Sequence, residues 1–226
     1  MLSAVCWLLF TYMVYRGAKR LYRLYPKIYL TPLIITPAVV IAVLESSGVR
    51  FDDYDRGAGW LSDMVEPATI ALAVTLYRHF GALKRNAFAI LAGAGTGAIA
   101  AIVSSAGLAW LLGLKPSLID SLAPRSATTP IAIAVAGSTG GVPTITAVAT
   151  LVTGILGLVF GPLVVRRFRI ENPVARGILF GTSAHSAGIS KALEYDAVSG
   201  SVACIAMILT AFVTLLATPW LLALLP

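Results

Sequence analysis

Charge is what this sequence has least of. Its 226 residues hold 17 Lys and Arg and 10 Asp and Glu, 12% together, where a soluble domain carries about a quarter. Cysteine and histidine are scarcer, two of each. No spacing among them matches a metal-binding pattern, so neither a metal site nor any other cofactor is expected. Cys6 and Cys204 sit in separate apolar stretches and read as packing residues. The opening run MLSAVCWLLFTYMVYRGAKR lacks a basic segment ahead of its apolar residues. That argues against a cleaved signal peptide and for a first membrane helix with its N-terminus outside.

Apolar residues are abundant instead: 58% of the chain, with a mean hydropathy of +0.87. They run over the whole length, so the bilayer is the expected solvent. The expected fold is all-α, a polytopic membrane helix bundle forming one integral domain over residues 1–226. The net charge of +7 does not point to nucleic acid. Arg16, Lys19, Arg20, Arg23 and Lys27 form one basic loop; Arg78, Lys84 and Arg85 a second; Arg166, Arg167, Arg169 and Arg176 a third. Each lies between apolar runs, the pattern of cytoplasmic loops in a multi-pass membrane protein. Asp52, Asp53, Asp55 and Asp63 gather in a different loop, 46–63, placed outside.

Candidate spans are 2–15, 28–45 with Pro32 and Pro37 as interruptions, 87–112, 144–165 and 197–225. Residues 64–77 are too short for a crossing, which takes about 20 residues, and read as half of a broken helix. Residues 113–143 are the least regular part. Two full crossings over 126–141 and 144–165 would put RRFR (166–169) on the acidic face. Residues 126–141 therefore read as a half-helix that enters from outside and stops near GSTGG (137–141). Residues 171–193 are a second interrupted segment. TIALAV (69–74) echoes PIAIAV (130–135), and broken helices in corresponding places point to a repeat architecture of the transporter kind.

Three segments place a polar residue before a proline and an apolar run: Glu66-Pro67, Thr129-Pro130 and Asn172-Pro173. Proline suits the first helical position, and Thr or Asn the cap before it. At membrane depth the freed N–H groups of such a start need a partner, and an anionic group fits them. In APRSATTP (123–130), Arg125 can hold a carboxylate bidentately, with Ser126, Thr128 and Thr129 adding hydroxyl donors. The plainer reading puts Arg125 at the outer interface, facing water or lipid phosphate. Ser138 and Thr139 in GSTGG complete this half of the candidate site, beside glycines that let a ligand approach the backbone.

GTSAHSAGIS (181–190) sets Ser183, His185 and Ser186 among glycines. A nucleophile elbow needs G-x-S-x-G after a strand, which this stretch lacks, so no enzyme activity is expected. His185 fits a ligand-contacting or proton-carrying role, or a histidine satisfied by neighbouring hydroxyls. Glu66, Lys191 and Glu194 join it as candidates for proton or ion coupling. The plainer readings are a helix cap for Glu66 and a surface pair for Lys191 and Glu194. Asp196 is placed at the interface.

Taken together these stretches resemble the LrgB family of LrgB/CidB-like membrane proteins. The likeness lies in EPATIALAVTLY (66–77), APRSATTPIAIAVAGSTGGVPTITA (123–147), TGILGLVFGP (153–162) and NPVARGILFGTSAHSAGISKALE (172–194), in order, from about residue 28 to the C-terminus. Arg125 stands where a Lys is common and Thr75 where a Pro is frequent. ISKA (189–192) replaces Thr-Ala-Arg-Ala, moving a cation one residue earlier, to Lys191. The resemblance implies a plasma-membrane protein that forms homo-oligomers or works with a small LrgA-like, holin-type partner. It implies one of two functions: a holin- or antiholin-like regulator of murein hydrolase activity and autolysis, or a carrier of small monocarboxylates such as glycolate, glycerate, pyruvate and lactate. The second agrees with the residues around Arg125. A serine-reactive covalent probe is expected to leave Ser183 and Ser186 unlabelled; labelling of either would revive the hydrolase reading.

Overall fold

The computed structural model describes residues 2–25, 30–64, 67, 74 and 77–224, and among them the chain forms ten helices and no strand. It divides into two units, Met1–Val74 and Thr75–Pro226. Glu66 and most of the 64–77 segment lie outside the described residues, as does the TIALAV echo apart from Val74.

The first unit contains α1 (Leu2–Leu24), α2 (Pro32–Ser47) and α3 (Phe51–Asp63). Two stretches expected as loops are helical. Helix α1 does not end at residue 15 but continues through Arg16, Lys19, Arg20 and Arg23, because Lys and Arg are good helix formers and favour a helix C-terminus. The acidic stretch folds as α3, with Asp52 and Asp53 in its first turn, where negative charge is favourable. Helix α3 packs on α1 through Tyr54, whose ring meets Trp7 edge-on at 5.9 Å and whose hydroxyl lies 3.2 Å from Thr11 Oγ1. Pro32 opens α2, Pro37 lies inside it, and Gly48 closes it at φ 64°.

The second unit holds α4 (Phe80–Arg85), α5 (Ala87–Leu111), α6 (Pro116–Leu122), α7 (Thr129–Thr139), α8 (Pro143–Arg167), α9 (Pro173–Tyr195) and α10 (Ala197–Leu222). Helices α5, α8 and α10 are long and apolar enough to cross a membrane. Helix α9 is no crossing. Its first turn and the residue after its end touch: Arg176 Nη1 lies 3.8 Å from Asp196 Oδ2, and its guanidinium stacks 4.8 Å from the centre of the Tyr195 ring. A straight helix would set residues 176 and 196 about 30 Å apart. The chain instead reverses at His185, which adopts φ 50°, ψ −137°. Residues 173–184 lead in and 186–195 lead back, so α9 is a re-entrant hairpin with His185 at its tip.

Glycines set the packing of the inbound half. Gly93 and Gly97 of α5 face Ile178 and Thr182; Gly154, Gly157 and Gly161 of α8 face His185, Ala184 and Phe180; and Gly177 and Gly181 of α9 itself receive Val202 and Ala203 of α10. These registers make α5 and α10 parallel to the inbound half and α8 antiparallel. Lys84, Arg85, Arg166, Arg167, Arg169 and Arg176 therefore share one end of the unit, as the charge pattern requires of one membrane face.

A second hairpin enters from the opposite end. Helix α6 returns along the last turns of α5, burying Ile119 and Ala123 against Ile102, Ala106 and Ala109. Residues 123–128 turn, and α7 leads back. Gly141 then lies on the Asp120–Ser121 backbone, Val142 N–H donates to Ser121 Oγ (2.7 Å) and Thr146 Oγ1 to Ser121 O (3.0 Å). The re-entrant character of this region matches the parity reasoning, but its direction is the reverse of that expected. Helix α7 starts in the interior at Thr128–Thr129 and runs outward, so GSTGG lies near the outer end. The positive φ of Gly140 (96°) serves the turn into α8. Within the unit, span plus hairpin occurs twice with opposite orientation.

Substituting Gly181 by Ala would drive a Cβ into the Ala203 carbonyl, whereas nothing lies within 4 Å of a Cβ at Gly95. Gly181→Ala is expected to lose about 1–3 kcal/mol and Gly95→Ala none, read as thermal unfolding of the purified protein in detergent.

Candidate functional site

The two tips meet. The His185 ring, 6% exposed, lies against the main chain of Ser126 and Arg125 from the first hairpin and of Thr150 from α8. Among the described residues neither ring nitrogen reaches full hydrogen-bond geometry, the nearest polar groups being those main-chain atoms, and Ser126 Oγ, in a residue 3% exposed, has no partner. Buried polar groups are nearly always paired, so two without a well-formed bond at one place mark a site shaped for something else. The backbone of His185 adds strain: a non-glycine residue in such a region costs about 1–3 kcal/mol and persists only where its surroundings fix it.

Arg125 enters from the 123–128 turn. Its Nε donates to Ser105 Oγ (2.8 Å) and its Nη1 to Thr153 Oγ1 (3.1 Å). Both hydroxyls can accept because their own protons go elsewhere, Ser105 to Leu122 O and Thr153 to Ala149 O. No carboxylate among the described residues pairs with Arg125. A half-buried guanidinium held by hydroxyls keeps its charge available, and its fork geometry matches a carboxylate. Arg125 also borders a groove of about 480 Å³ between α6 and α8, walled by Leu122, Ile145, Val148 and Val152.

The other expected residues divide. Thr128 is the cap residue of α7 and is half-buried, and its hydroxyl caps no N–H; Thr129 and Ser186 are exposed beside the tips. Ser183 is two residues before His185, with its hydroxyl donated to Leu179 O (2.6 Å). Ser138 and Thr139 are at the far end of α7, about 15 Å from its start by helical rise, bonded to Val135 and Ala136 carbonyls. The structure does not bring them to the tips, because α7 runs outward. Asn172 is at the basic end, where its side chain accepts from Val174 N–H (2.8 Å) and Ala175 N–H (3.4 Å). That helix start is ordinary punctuation rather than an interior anion site. Lys191 and Glu194 pair at 2.6 Å on the outbound half, towards the basic end. Glu66 lies outside the described residues.

Sequence reasoning missed Ser105, Thr150 and Thr153. The signal was present in α8 as threonines at 146, 150 and 153, one helical face of a span. It also left Asp196 without a task. Asp196 accepts from Ser199 N–H and Oγ (both 2.7 Å), capping α10 while it ion-pairs with Arg176.

Opposed re-entrant hairpins meeting between spans define a polytopic helical membrane protein with a polar site at the centre of its second unit. The chain belongs to the LrgB-like family, whose model matches residues 11–224. It is 48% identical to YwbG of Bacillus subtilis over 96% of both chains. It is 32% identical to the holin-like protein CidB of Staphylococcus aureus, covering 98% of this chain and 97% of that one. It is also 32% identical to the antiholin-like protein LrgB of Bacillus mycoides, covering 84% and 82% respectively. No solved structure matches it.

Burial raises the Asp196 pKa, but the Ser199 N–H and hydroxyl, with Arg176 and the Val198 N–H, outweigh it and hold it below the usual carboxylate range. A carboxyl depressed below its unfolded value of about 3.9 adds stability above that pH and loses it as pH falls through the folded value. Asp196→Ala is expected to cost about 1 kcal/mol at neutral pH from the lost cap. The difference from the unsubstituted protein should vanish in acid, read by denaturation across pH 2–7.

Proposed function

We propose that this protein is a carrier of small monocarboxylates, binding rather than chemically converting them, with the carboxylate held where the hairpin tips meet. The observation that carries the reading is a half-buried guanidinium with no acidic partner among the described residues, beside the Ser126 hydroxyl and the His185 ring, neither of which makes a well-formed hydrogen bond there. The start of α7 at Thr128–Thr129 adds the positive end of an 11-residue helix, which favours an anion. One cation at the tips suits a single negative charge. The apolar groove beside it suits a short body of the glycolate, pyruvate or lactate kind. By the charge rule the shared basic end of α5, α8 and α9 faces the cytoplasm of a plasma-membrane protein, and the basic end of α1 puts the N-terminus outside. His185 is the candidate proton carrier.

The relatives' names favour a second reading, a holin- or antiholin-like role, which the family resemblance extends to regulation of murein hydrolase activity as an oligomer or with a small LrgA-like partner. That activity needs partner contacts more than a substrate pocket, so it should survive loss of the tip residues.

Uptake of labelled glycolate, pyruvate and lactate into proteoliposomes separates the two. Removing a charged hydrogen-bonding group at about 1.5–3 kcal/mol predicts roughly a 10- to 100-fold loss of uptake in Arg125→Ala, with partial recovery in Arg125→Lys. Unchanged uptake in Arg125→Ala would sink the assignment. A lysis phenotype that persists in an Arg125/His185 double variant would favour the second reading.

A further inference from the structure

The last span carries a feature that the tip site does not use. Thr210, Thr214 and Thr218 of α10 are 1%, 0% and 0% exposed, and among the described residues none of their hydroxyls has a hydrogen-bond partner. The threonines of neighbouring helices behave differently. Thr146, Thr150 and Thr153 of α8 and Thr182 of α9 all donate to the carbonyl four residues back. That option is open to any helical threonine and is not taken in α10. Three unmet hydroxyls in the apolar interior of a span each carry a desolvation cost.

Their placement gives them a use. A spacing of four puts Ala206, Thr210, Thr214 and Thr218 on one face of α10. At its lower end this face meets α9, where Ala206 abuts Gly181. Gly181 lies one turn before the hairpin tip, so the threonine row begins beside the tip and continues for about 12 Å to the end opposite the basic loops. Helix α7, which packs on α10, starts at the same tips and runs the same way. Successive hydroxyls lie about 6 Å apart along the axis, too far to ligate one hard cation at about 2.5 Å. That interval suits a file of waters or a small solute passed from one hydroxyl to the next.

We propose that Thr210, Thr214 and Thr218 line a hydrated path for a small anion between the hairpin tips and the membrane face opposite the basic loops, closed in this structure, where all three are buried. The inference rests on the carrier reading for its solute, and on the threonine row alone for its course. Opening requires the helices packed over the row to part from α10, which exposes the row to water and leaves Arg125 and His185 at its inner end.

The test is thiol reactivity in membranes, since a charged methanethiosulfonate reacts with the thiolate and needs water to reach it. In a Cys6→Ser, Cys204→Ala background, Thr210→Cys, Thr214→Cys and Thr218→Cys are compared with Leu216→Cys. Leu216 has the same depth on the exposed face of α10, at 68% exposure. The expected result is labelling of the three threonine positions about tenfold or more faster than Leu216→Cys, and only from the side opposite the basic loops. Rates no faster than Leu216→Cys, or labelling from the basic side alone, overturn the path. Wild-type vesicles that take up no carboxylate while the threonine positions still react would defeat the carrier reading and leave the path standing. A second variant, Thr210→Val/Thr214→Val/Thr218→Val, removes only hydroxyls. It should keep thermal shifts by glycolate or pyruvate while slowing uptake about tenfold or more; uptake at the wild-type rate would count against the path.

Discussion

The close approach of three helices, α5, α8 and α10, around the inbound half of α9 is the constraint on which the second unit depends. Gly157 and Gly161 of α8 sit so near Ala184 and Phe180, and Gly177 and Gly181 so near α10, that a methyl group would overlap at each position. In lipid the hydrophobic effect gives no drive for helices to associate, and close packing of small residues takes its place. This packing fixes how far the inbound segment can advance. It also holds His185 in a backbone conformation that it would not keep alone, since the strain is tolerated only where neighbours leave no alternative.

A chain that reverses within a membrane must satisfy its backbone against protein rather than lipid. Each hairpin therefore sits against spans and the other hairpin, and both tips end at the same depth. The site follows from this economy. The first hairpin delivers Arg125 to hydroxyls on α5 and α8, and the second delivers an imidazole to the same place. At the basic end, Arg176, Tyr195 and Asp196 tie the two ends of α9 together, so the tip is held from its base as well as from its sides.

Much of this was legible in the residues. The glycines and hydroxyls of 181–190 marked the break, and the proline starts marked where helices begin. The basic cluster at 166–169 argued for a half-helix over 126–141, and a re-entrant segment stands there in the structure. The direction of that segment was not legible. Thr129-Pro130 and Asn172-Pro173 look alike as helix starts, yet one lies at the centre of the unit and the other at its basic end. Local sequence specifies a cap in both cases, and only the partner helix determines its depth. Ser138 and Thr139 looked like site residues for the same reason: they end an 11-residue helix whose start is at the tips, and sequence adjacency gave no sense of which way that helix runs.

The sequence by itself determined the apolar surroundings of this protein, its helical content, the clustering of its basic residues and the few polar groups set within its apolar segments. These are properties of composition and of periodic pattern along the chain, and they need no knowledge of neighbours. Only the tertiary structure decided that Arg125 and His185, sixty residues apart, share one place, and that a threonine row on the last span runs on from it. Those relations depend on which helices pack against which and in what register. That is set by glycine contacts between segments distant in sequence, whose partners no local pattern can name.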